Sequence, residues 1–178
     1  MTHSYNKACQ GTNLYLVGLM GTGKSAIGKK LAKEKNKEFI DSDQEIEKSS
    51  GMSISQIFTK YGESHFRKLE RKFIIDVQSA RNCVIACGGG LCIPEGMMDL
   101  LKKTGKVVCL WASPETLVDR TKVDDSRPLL NVANPLLVLR NLLSEREMKY
   151  READIIIETD HLSPDEVVRE IVKHFPAD

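Results

Sequence analysis

Short apolar runs alternate with longer mixed stretches along this chain. The runs with the length and composition of strands lie at residues 14–17, 39–40, 84–86, 107–111 and 155–157. Strands that alternate with helical patterns are typical of parallel sheets. The pattern therefore predicts an α/β domain in which helices cover both faces of a parallel sheet.

Capping signals mark where several helices begin. Ser113 precedes a proline, and Ser163 opens a Ser-Pro-Asp-Glu sequence that combines a capping box with proline at the first helical position. Ser53-Ile-Ser-Gln56 is a third candidate cap. Long helical stretches are predicted from about residue 64 to 80 and from about residue 135 to 151.

Residues 121–134, TKVDDSRPLLNVAN, fit neither pattern. The segment is polar, is broken by proline and is longer than a connection between two helices requires. An ordinary surface loop is one interpretation. A mobile lid is the other, and Arg120 and Arg127 favour it because lids close cations over a transferring phosphoryl group.

Composition and charge limit the class of protein. The 178 residues are 41% hydrophobic, which fits a single domain spanning residues 1–178. Residues 1–12 are polar, so we expect a flexible tail and no secretory signal. The net charge of +1 gives no overall attraction to nucleic acid or a membrane surface, and no apolar run is long enough to span a bilayer.

The chain has five cysteines and no C-x-x-C pair. An odd number without paired spacing predicts reduced thiols and a cytoplasmic location. Cys83, Cys87 and Cys92 are close in sequence, but no partner pair recurs at zinc spacing, so packing is the better interpretation than a metal site.

A phosphate-binding pattern follows the first predicted strand. Gly18 to Ser25 read GLMGTGKS, which matches G-x-x-x-x-G-K-[ST], and a helical stretch follows. The glycines let backbone N–H groups turn toward phosphate oxygens, and the helix N-terminus adds a positive dipole end. Lys24 is expected to reach the β- and γ-phosphates of a bound nucleotide, and Ser25 to hold Mg²⁺. The predicted nucleotide contacts in this loop are Gly21, Thr22, Gly23, Lys24, Ser25 and Ala26.

Two aspartates follow the second predicted strand. Asp41 and Asp43 therefore lie at the carboxyl end of a strand, where ligands of parallel sheets collect. Asp41 is a candidate anchor for Mg²⁺, and Asp43 is a candidate acceptor of a hydrogen bond from an attacking hydroxyl. Aspartate also favours the N-cap of a helix, and the spacing leaves both roles open.

Three consecutive glycines at residues 88–90 directly follow the third predicted strand. They allow close backbone approach and leave N–H groups free to bind oxygen atoms. A flexible turn is the alternative. Such a turn needs one or two glycines, so the triple favours a ligand site.

Two arginines lie among acidic residues on predicted helices. Arg67 follows Glu63 by four residues and precedes Glu70 by three, and Arg146 lies between two glutamates. On pattern alone, this spacing favours a solvated, salt-bridged helix face for both arginines.

Taken together, these motifs resemble shikimate kinases. In chain order they are GLMGTGKS, Asp41-Ser-Asp43, Gly62-Glu63 with Phe66-Arg67 and Glu70, Gly88-Gly-Gly90, Arg127-Pro-Leu-Leu130, and Arg146 four residues before Tyr150. A phosphate-binding loop alone is shared by many enzymes, whereas the ordered set is specific. The resemblance extends from residue 13 to the C-terminus, and it outweighs the local alternatives for Asp41, Asp43, Arg67 and Arg146.

The resemblance implies ATP-dependent phosphorylation of the 3-hydroxyl of shikimate, on the route to chorismate and the aromatic amino acids. The residue matching Asp43 holds the substrate hydroxyls and positions or deprotonates the nucleophile. Those matching Arg67 and Arg146 bind the carboxylate, and the match to Glu70 orients Arg67. The implied substrate contacts are Asp43, Arg67, Gly88, Gly89, Gly90 and Arg146.

The resemblance also implies a three-layer P-loop kinase fold, in which helices flank a five-stranded parallel sheet. A mobile lid at residues 121–134 and a substrate-binding helical region at residues 46–67 complete that fold. The remaining implied roles are catalysis for Lys24, Asp43 and Arg127, nucleotide contact for Arg120 and Arg127, and Mg²⁺ binding for Ser25 and Asp41. We expect a monomer that binds shikimate and ATP, without a nucleic acid or membrane partner.

Two other classes share part of the pattern. Another small-molecule kinase, such as a gluconate kinase or a nucleoside monophosphate kinase, has the loop and the lid, but we do not expect it to combine FRxxE with GGG. A GTPase-type switch would use the TKxD sequence from Thr121 to Asp124. That sequence lies after a helix start rather than after a strand, and no D-x-x-G motif occurs in the chain.

Overall fold

The computed structural model describes residues 12–77, 82–121 and 132–176. Its strands are β1 (Asn13–Val17), β2 (Glu38–Asp41), β3 (Cys83–Ala86), β4 (Gly105–Trp111) and β5 (Ile155–Glu158). Its helices are α1 (Lys24–Glu34), α2 (Ser42–Ser50), α3 (Ile54–Val77), α4 (Met97–Lys102), α5 (Pro114–Thr121), α6 (Pro135–Tyr150) and α7 (Pro164–His174). Every predicted strand is present, and each extends beyond its apolar run by at least one residue.

The five strands form one parallel sheet in the order β2-β3-β1-β4-β5, which confirms the predicted fold class. At the centre, Leu16 of β1 is aligned with Ala86 on one side and Val108 on the other. Because the strands are parallel, their carboxyl ends all reach the same edge of the sheet. The strand order changes direction next to β1, and ligands of such sheets bind outside the carboxyl ends at this position.

Side chains of the central strands alternate between two cores. Tyr15 and Val17 pack with residues of α3, α4 and α6, whereas Leu14 and Leu16 pack with residues of α1 and α7. All of β1 is buried, as expected for a parallel strand covered on both faces. Each fully buried aliphatic side chain contributes about 1.5 to 3 kcal/mol, so the runs that predict the strands also hold the three layers together.

Side-chain caps fix the starts of the predicted helices. At α7, Ser163 Oγ accepts a hydrogen bond from the Glu166 N–H, and the Glu166 carboxylate accepts one from the Ser163 N–H. Ser53 and Gln56 exchange the same pair of hydrogen bonds before α3. No capping signal in the sequence predicts α4, which has 6 residues and a glycine N-cap that supplies no side-chain hydrogen bond.

Helix α3 consists of two segments that meet at Gly62. This glycine has φ 78° and ψ 174°, which are not helical values. The second segment therefore begins beside residue 64, where the long helical stretch is predicted. Its buried residues are Phe66, Glu70, Phe73, Ile74 and Val77. A carboxylate thus lies among apolar side chains on this face.

Some expectations fall outside the described residues. They concern all but the last residue of the 1–12 tail, most of the 121–134 lid, and Arg127. In the part of the chain that is described, no helix combines the length and the apolar character needed to cross a bilayer. Four of the cysteines, Cys83, Cys87, Cys92 and Cys109, are buried free thiols.

Candidate active site

A cleft of about 590 Å³ opens at the carboxyl edge of the sheet. It is lined by the loops after β1 and β3 and by the junction of β2 with α2, and α3 and α6 each contribute an arginine. Of the predicted site residues, the cleft is lined by Gly21, Gly23, Lys24, Ser25, Ala26, Asp41, Asp43, Arg67, Gly88, Gly89, Gly90 and Arg146. It is also lined by Met20, Ile54 and Phe58. Nothing in the sequence apart from their apolar character marks these three as site residues.

The phosphate-binding loop joins β1 to α1 and folds around its own lysine. Lys24 Nζ donates hydrogen bonds to the carbonyl oxygens of Gly18 at 2.9 Å and Leu19 at 3.0 Å. Thr22 is buried, and its hydroxyl donates to the Leu19 carbonyl at 2.8 Å, so its side chain braces the loop from within. These two hydrogen bonds hold the ammonium of Lys24 against the backbone of the loop.

Asp41 links the second strand to both the loop and the next helix. One carboxylate oxygen accepts a hydrogen bond from Ser25 Oγ at 2.7 Å. The other accepts from the backbone N–H groups of Asp43 at 3.1 Å and Gln44 at 3.5 Å, as the N-cap of α2. Asp41 therefore does cap α2, and the same side chain places a second oxygen beside the hydroxyl of Ser25.

Asp43 lies against the backbone of Gly88. A Cβ at Gly88 would lie 2.5 Å from Asp43 Oδ1, a separation that real Cβ atoms do not show. Asp43 Oδ1 is buried and accepts no hydrogen bond from any described residue. Burial raises the pKa of the Asp43 carboxyl, the nearby charge of Asp41 raises it further, and Lys24 opposes both effects. The site thus holds a buried acceptor beside the phosphate-binding loop.

Arg67 is held between two carboxylates of α3. Its Nη1 donates to Glu70 at 2.7 Å, and its Nη2 donates to Glu63 at 2.6 Å. Burial lowers the pKa of Arg67, but the two carboxylates outweigh burial and raise it overall. Glu70 is 1% exposed, and burial raises its pKa to about 7 even though Arg67 opposes this shift. The guanidinium also lies against Gly90, where a Cβ would come within 2.6 Å of it.

The glycine loop, residues 88–90, is fixed by two side chains that the sequence analysis did not assign to the site. The Gly88 N–H donates to Ser42 Oγ at 2.8 Å, and the Tyr150 hydroxyl donates to the Gly89 carbonyl at 2.6 Å. Arg146 Nη1 donates to the same carbonyl at 3.3 Å. The spacing carried a partial signal, because Arg146 and Tyr150 are four residues apart and share a helix face.

Arg120 does not line this cleft. It lies at the carboxyl ends of β4 and β5, where its guanidinium donates to Thr159 Oγ1 at 2.9 Å and to the Thr159 carbonyl. Thr159 is buried, and its hydroxyl donates to the Trp111 carbonyl at 3.0 Å. Arg120 and the cleft therefore lie along the same edge of the sheet.

Asp160 joins the loop after β5 to the start of α5. Its carboxylate accepts hydrogen bonds from the hydroxyls of Ser113 and Thr116. Burial raises the pKa of Asp160, but these hydrogen bonds outweigh burial and lower it overall. The carboxylate is thus committed to holding two loops together.

A phosphate-binding loop after the central strand of a β2-β3-β1-β4-β5 sheet, with acceptor groups facing it across a cleft, defines a P-loop kinase. Comparison with known proteins narrows this class. The family model described as shikimate kinase matches residues 20–176. The chain belongs to the shikimate kinase family.

Similarity to individual shikimate kinases, in sequence and in structure, supports the family assignment. A shikimate kinase of Thermodesulfovibrio yellowstonii is 43% identical over 163 residues, covering 92% of this chain and 94% of that protein. The structure of shikimate kinase from Acinetobacter baumannii in complex with shikimate superposes with a TM-score of 0.87 at 40% identity, covering 93% of each chain. A gluconokinase from Sinorhizobium meliloti has a TM-score of 0.59 at 16% identity, covering 92% of this chain and 90% of its own, and shares the fold alone.

Proposed function

We propose that this chain transfers the γ-phosphoryl group of ATP to the 3-hydroxyl of shikimate, in the biosynthesis of chorismate and the aromatic amino acids. Family membership supports the reaction class. The Acinetobacter baumannii relative, described as a complex with shikimate, supports the acceptor.

The acceptor half of the proposal rests on one observation above all. Asp43 Oδ1 is a buried acceptor without a hydrogen-bond donor among the described residues, in the cleft that Arg67 and Arg146 also line. A buried polar atom that lacks a partner is costly, so a ligand that supplies a donor gains that free energy. A small acid with several hydroxyls fits, because a hydroxyl donates to Asp43 while the arginines bind the carboxylate. Backbone groups of Gly88, Gly89 and Gly90 line the space between them.

The donor half uses the phosphate-binding loop. Phosphoryl transfer depends mostly on positioning and on charge stabilisation. Lys24 exchanges its two carbonyl partners for phosphate oxygens, and backbone N–H groups from Gly21 to Ala26 surround them. Arg120, held by Thr159, lies toward the adenine side. Arg127, outside the described residues, is proposed from the family resemblance to reach the transferring group.

Ser25 and Asp41 would hold Mg²⁺ bound with ATP. Their oxygen atoms are 2.7 Å apart in a hydrogen bond at the cleft, and oxygen donors are what this cation prefers. Mg²⁺ is commonly bound through one or two protein oxygens together with substrate phosphates and water. When bound, Mg²⁺ would neutralise charge on the phosphates.

We also propose a cytoplasmic monomer. The four buried free thiols suit a reducing compartment. The near-neutral net charge of +1 supports the absence of a nucleic acid partner.

A coupled assay of ADP release tests the function. Purified enzyme with Mg²⁺ and ATP is offered shikimate, gluconate and nucleoside monophosphates in parallel. Of these acceptors, we expect only shikimate to be phosphorylated. Preferential turnover of another acceptor would refute the proposal. Lys24→Met should abolish turnover, whereas Lys30→Met serves as a matched control because Lys30 lies on the same helix and pairs with Asp165 on the surface.

A further inference from the structure

Side chains from two helices hold the backbone of the glycine loop. Ser42, the first residue of α2, accepts a hydrogen bond from the Gly88 N–H at 2.8 Å. Tyr150, the last residue of α6, donates to the Gly89 carbonyl at 2.6 Å. Two helices distant in sequence therefore fix one short segment of backbone that faces the cleft.

Tyr150 is suited to be a permanent donor. Its side chain is 0% exposed, so its hydroxyl has no access to solvent as an alternative partner. Burial raises the pKa of Tyr150, and the nearby charge of Arg146 opposes this shift only in part. The phenol therefore stays protonated, and its single proton is committed to the carbonyl of Gly89.

The same carbonyl also accepts a hydrogen bond from Arg146. The separation from Arg146 Nη1 is 3.3 Å, compared with 2.6 Å from the Tyr150 hydroxyl. A carbonyl oxygen can accept two hydrogen bonds, and the shorter of the two comes from Tyr150. Arg146 gives only one longer bond, so most of the five N–H groups of its guanidinium remain available to the cleft. Without the Tyr150 hydroxyl, Arg146 would be the only described donor to this oxygen and would be drawn toward the loop.

We propose that Tyr150 is a positioning residue for acceptor binding: it holds the Gly89 carbonyl so that the glycine loop keeps its shape and Arg146 stays directed into the cleft. Tyr150 does not line the cleft and acts through these two groups. The inference rests on the proposed function, because it assigns Arg146 to the acceptor.

Tyr150→Phe tests this role against a matched control. The variant keeps the buried ring and removes only the hydroxyl. Tyr15→Phe removes a hydroxyl of the same kind, because Tyr15 is also 0% exposed and hydrogen-bonds Thr104 Oγ1 at 2.7 Å. Tyr15 and Thr104 lie away from the cleft and have no part in the site.

Steady-state kinetics, amide hydrogen exchange and the melting temperature are measured for both variants and the unchanged enzyme. Tyr150→Phe should raise the KM for shikimate about 2- to 12-fold, the range that one net hydrogen bond supplies, and leave the KM for ATP unchanged. It should also speed exchange of the amides of residues 86–92. Tyr15→Phe should leave the KM for shikimate and the exchange of these amides unchanged. Its melting temperature should fall about as much as that of Tyr150→Phe.

Each outcome decides a separate point. If Tyr150→Phe loses stability but keeps both KM values and normal exchange, the hydroxyl is only structural and the inference is overturned. If the unchanged enzyme does not phosphorylate shikimate, the proposed function fails instead. The exchange comparison then decides by itself whether Tyr150 holds the glycine loop.

Discussion

Two buried carboxylates face Gly88 and differ in their partners. Glu70 Oε2 accepts a hydrogen bond from Arg67, while Glu70 Oε1 and Asp43 Oδ1 are both buried without a described donor. Only Asp43 lines the cleft. A Cβ at Gly88 would lie 2.5 Å from Asp43 Oδ1 and 3.3 Å from Glu70 Oε1, so the absent side chain lets both approach. One carboxylate is therefore paired with an arginine, and the other is the one proposed above to bind the acceptor.

Arg67→Lys tests the first of these arrangements. Lysine keeps the charge beside Glu70 but cannot hold two carboxylates and a substrate carboxylate through a planar fork. A charge-assisted hydrogen bond contributes about 1.5 to 3 kcal/mol, so the KM for shikimate should rise about 10- to 100-fold while the KM for ATP changes little. Arg71→Lys is the control, because Arg71 lies one turn further along α3. An unchanged shikimate KM in Arg67→Lys would remove Arg67 from the acceptor site.

The pKa of Glu70 predicts a dependence of stability on pH. The folded-state pKa of about 7 exceeds the ordinary value of 4.5. Between pH 4.5 and about pH 7, Glu70 therefore keeps a proton in the folded protein that it has lost in the unfolded chain. The stability that Glu70 contributes is thus fully present below the unfolded pKa and is lost as pH rises through about 7.

Glu70→Gln removes this titration. The melting temperature of the unchanged protein should fall relative to that of the variant as pH rises from about 5 to about 8, as the linkage between protonation and folding requires. Thermal unfolding of both proteins across this range measures the difference. A constant difference would show that Glu70 does not titrate there.

At the scale of elements, β2 passes directly into α2, and Asp41 is the junction. One of its oxygens caps the helix, while the other binds Ser25. Structure and proposed Mg²⁺ binding therefore depend on separate atoms of one side chain. Substitutions that keep one atom and change the other can separate the two roles.

Asp41→Asn should keep the cap but weaken Mg²⁺ binding, because the amide retains an acceptor and loses the charge. We expect the Mg²⁺ concentration for half-maximal rate to rise with little change in melting temperature. Asp41→Ala should also lose about 0.5 to 2 kcal/mol of stability with the cap. Ser163→Ala, which removes the cap of α7, should lower stability without changing the Mg²⁺ requirement. An unaltered Mg²⁺ requirement in both Asp41 variants would exclude Asp41 as a ligand.

Elements differed in how well the sequence predicted them, for physical reasons. Apolar runs predicted all five strands. In β1 and β3 every residue is buried, so no polar position interrupts the run. The edge strands β2 and β5 are only partly buried, and their runs are bounded by charged residues. Helix α7 was predicted from its capping box, whereas the short α4 has only a glycine cap and left no such signal. The break at Gly62 fixes where the second part of α3 begins, near the predicted start.

The site was predictable where one motif contains the chemistry, as in the phosphate-binding loop. Spacing correctly indicated that Arg67 pairs with Glu63 and Glu70, but it wrongly suggested that this face of α3 is exposed to solvent. Only packing shows that Glu70 is buried and that Arg67 faces the cleft. Tyr150 and Ser42 could not be assigned, because their hydrogen bonds join segments that only the folded sheet brings together.

At the scale of the molecule, both proposed substrates bind one edge of one sheet. Ligands that bind only the folded state stabilise it, by about 2.7 kcal/mol at a concentration 100 times Kd. For a domain of this size, we expect ATP with Mg²⁺, or shikimate, to raise the melting temperature by about 5 to 11 °C in a single transition. Differential scanning calorimetry measures this shift. Two transitions, with only one shifted by ligand, would contradict a single domain.

The chain contains one tryptophan, Trp111, at the carboxyl end of β4. Its carbonyl binds Thr159, which holds Arg120, and its ring lies 5.6 Å from the guanidinium carbon of Arg151. Indole fluorescence responds to nearby charge and polarity, so every change in tryptophan emission originates at this single position. The enzyme therefore carries a built-in optical probe at the carboxyl edge of its sheet, and ligand titrations can be followed without an attached dye.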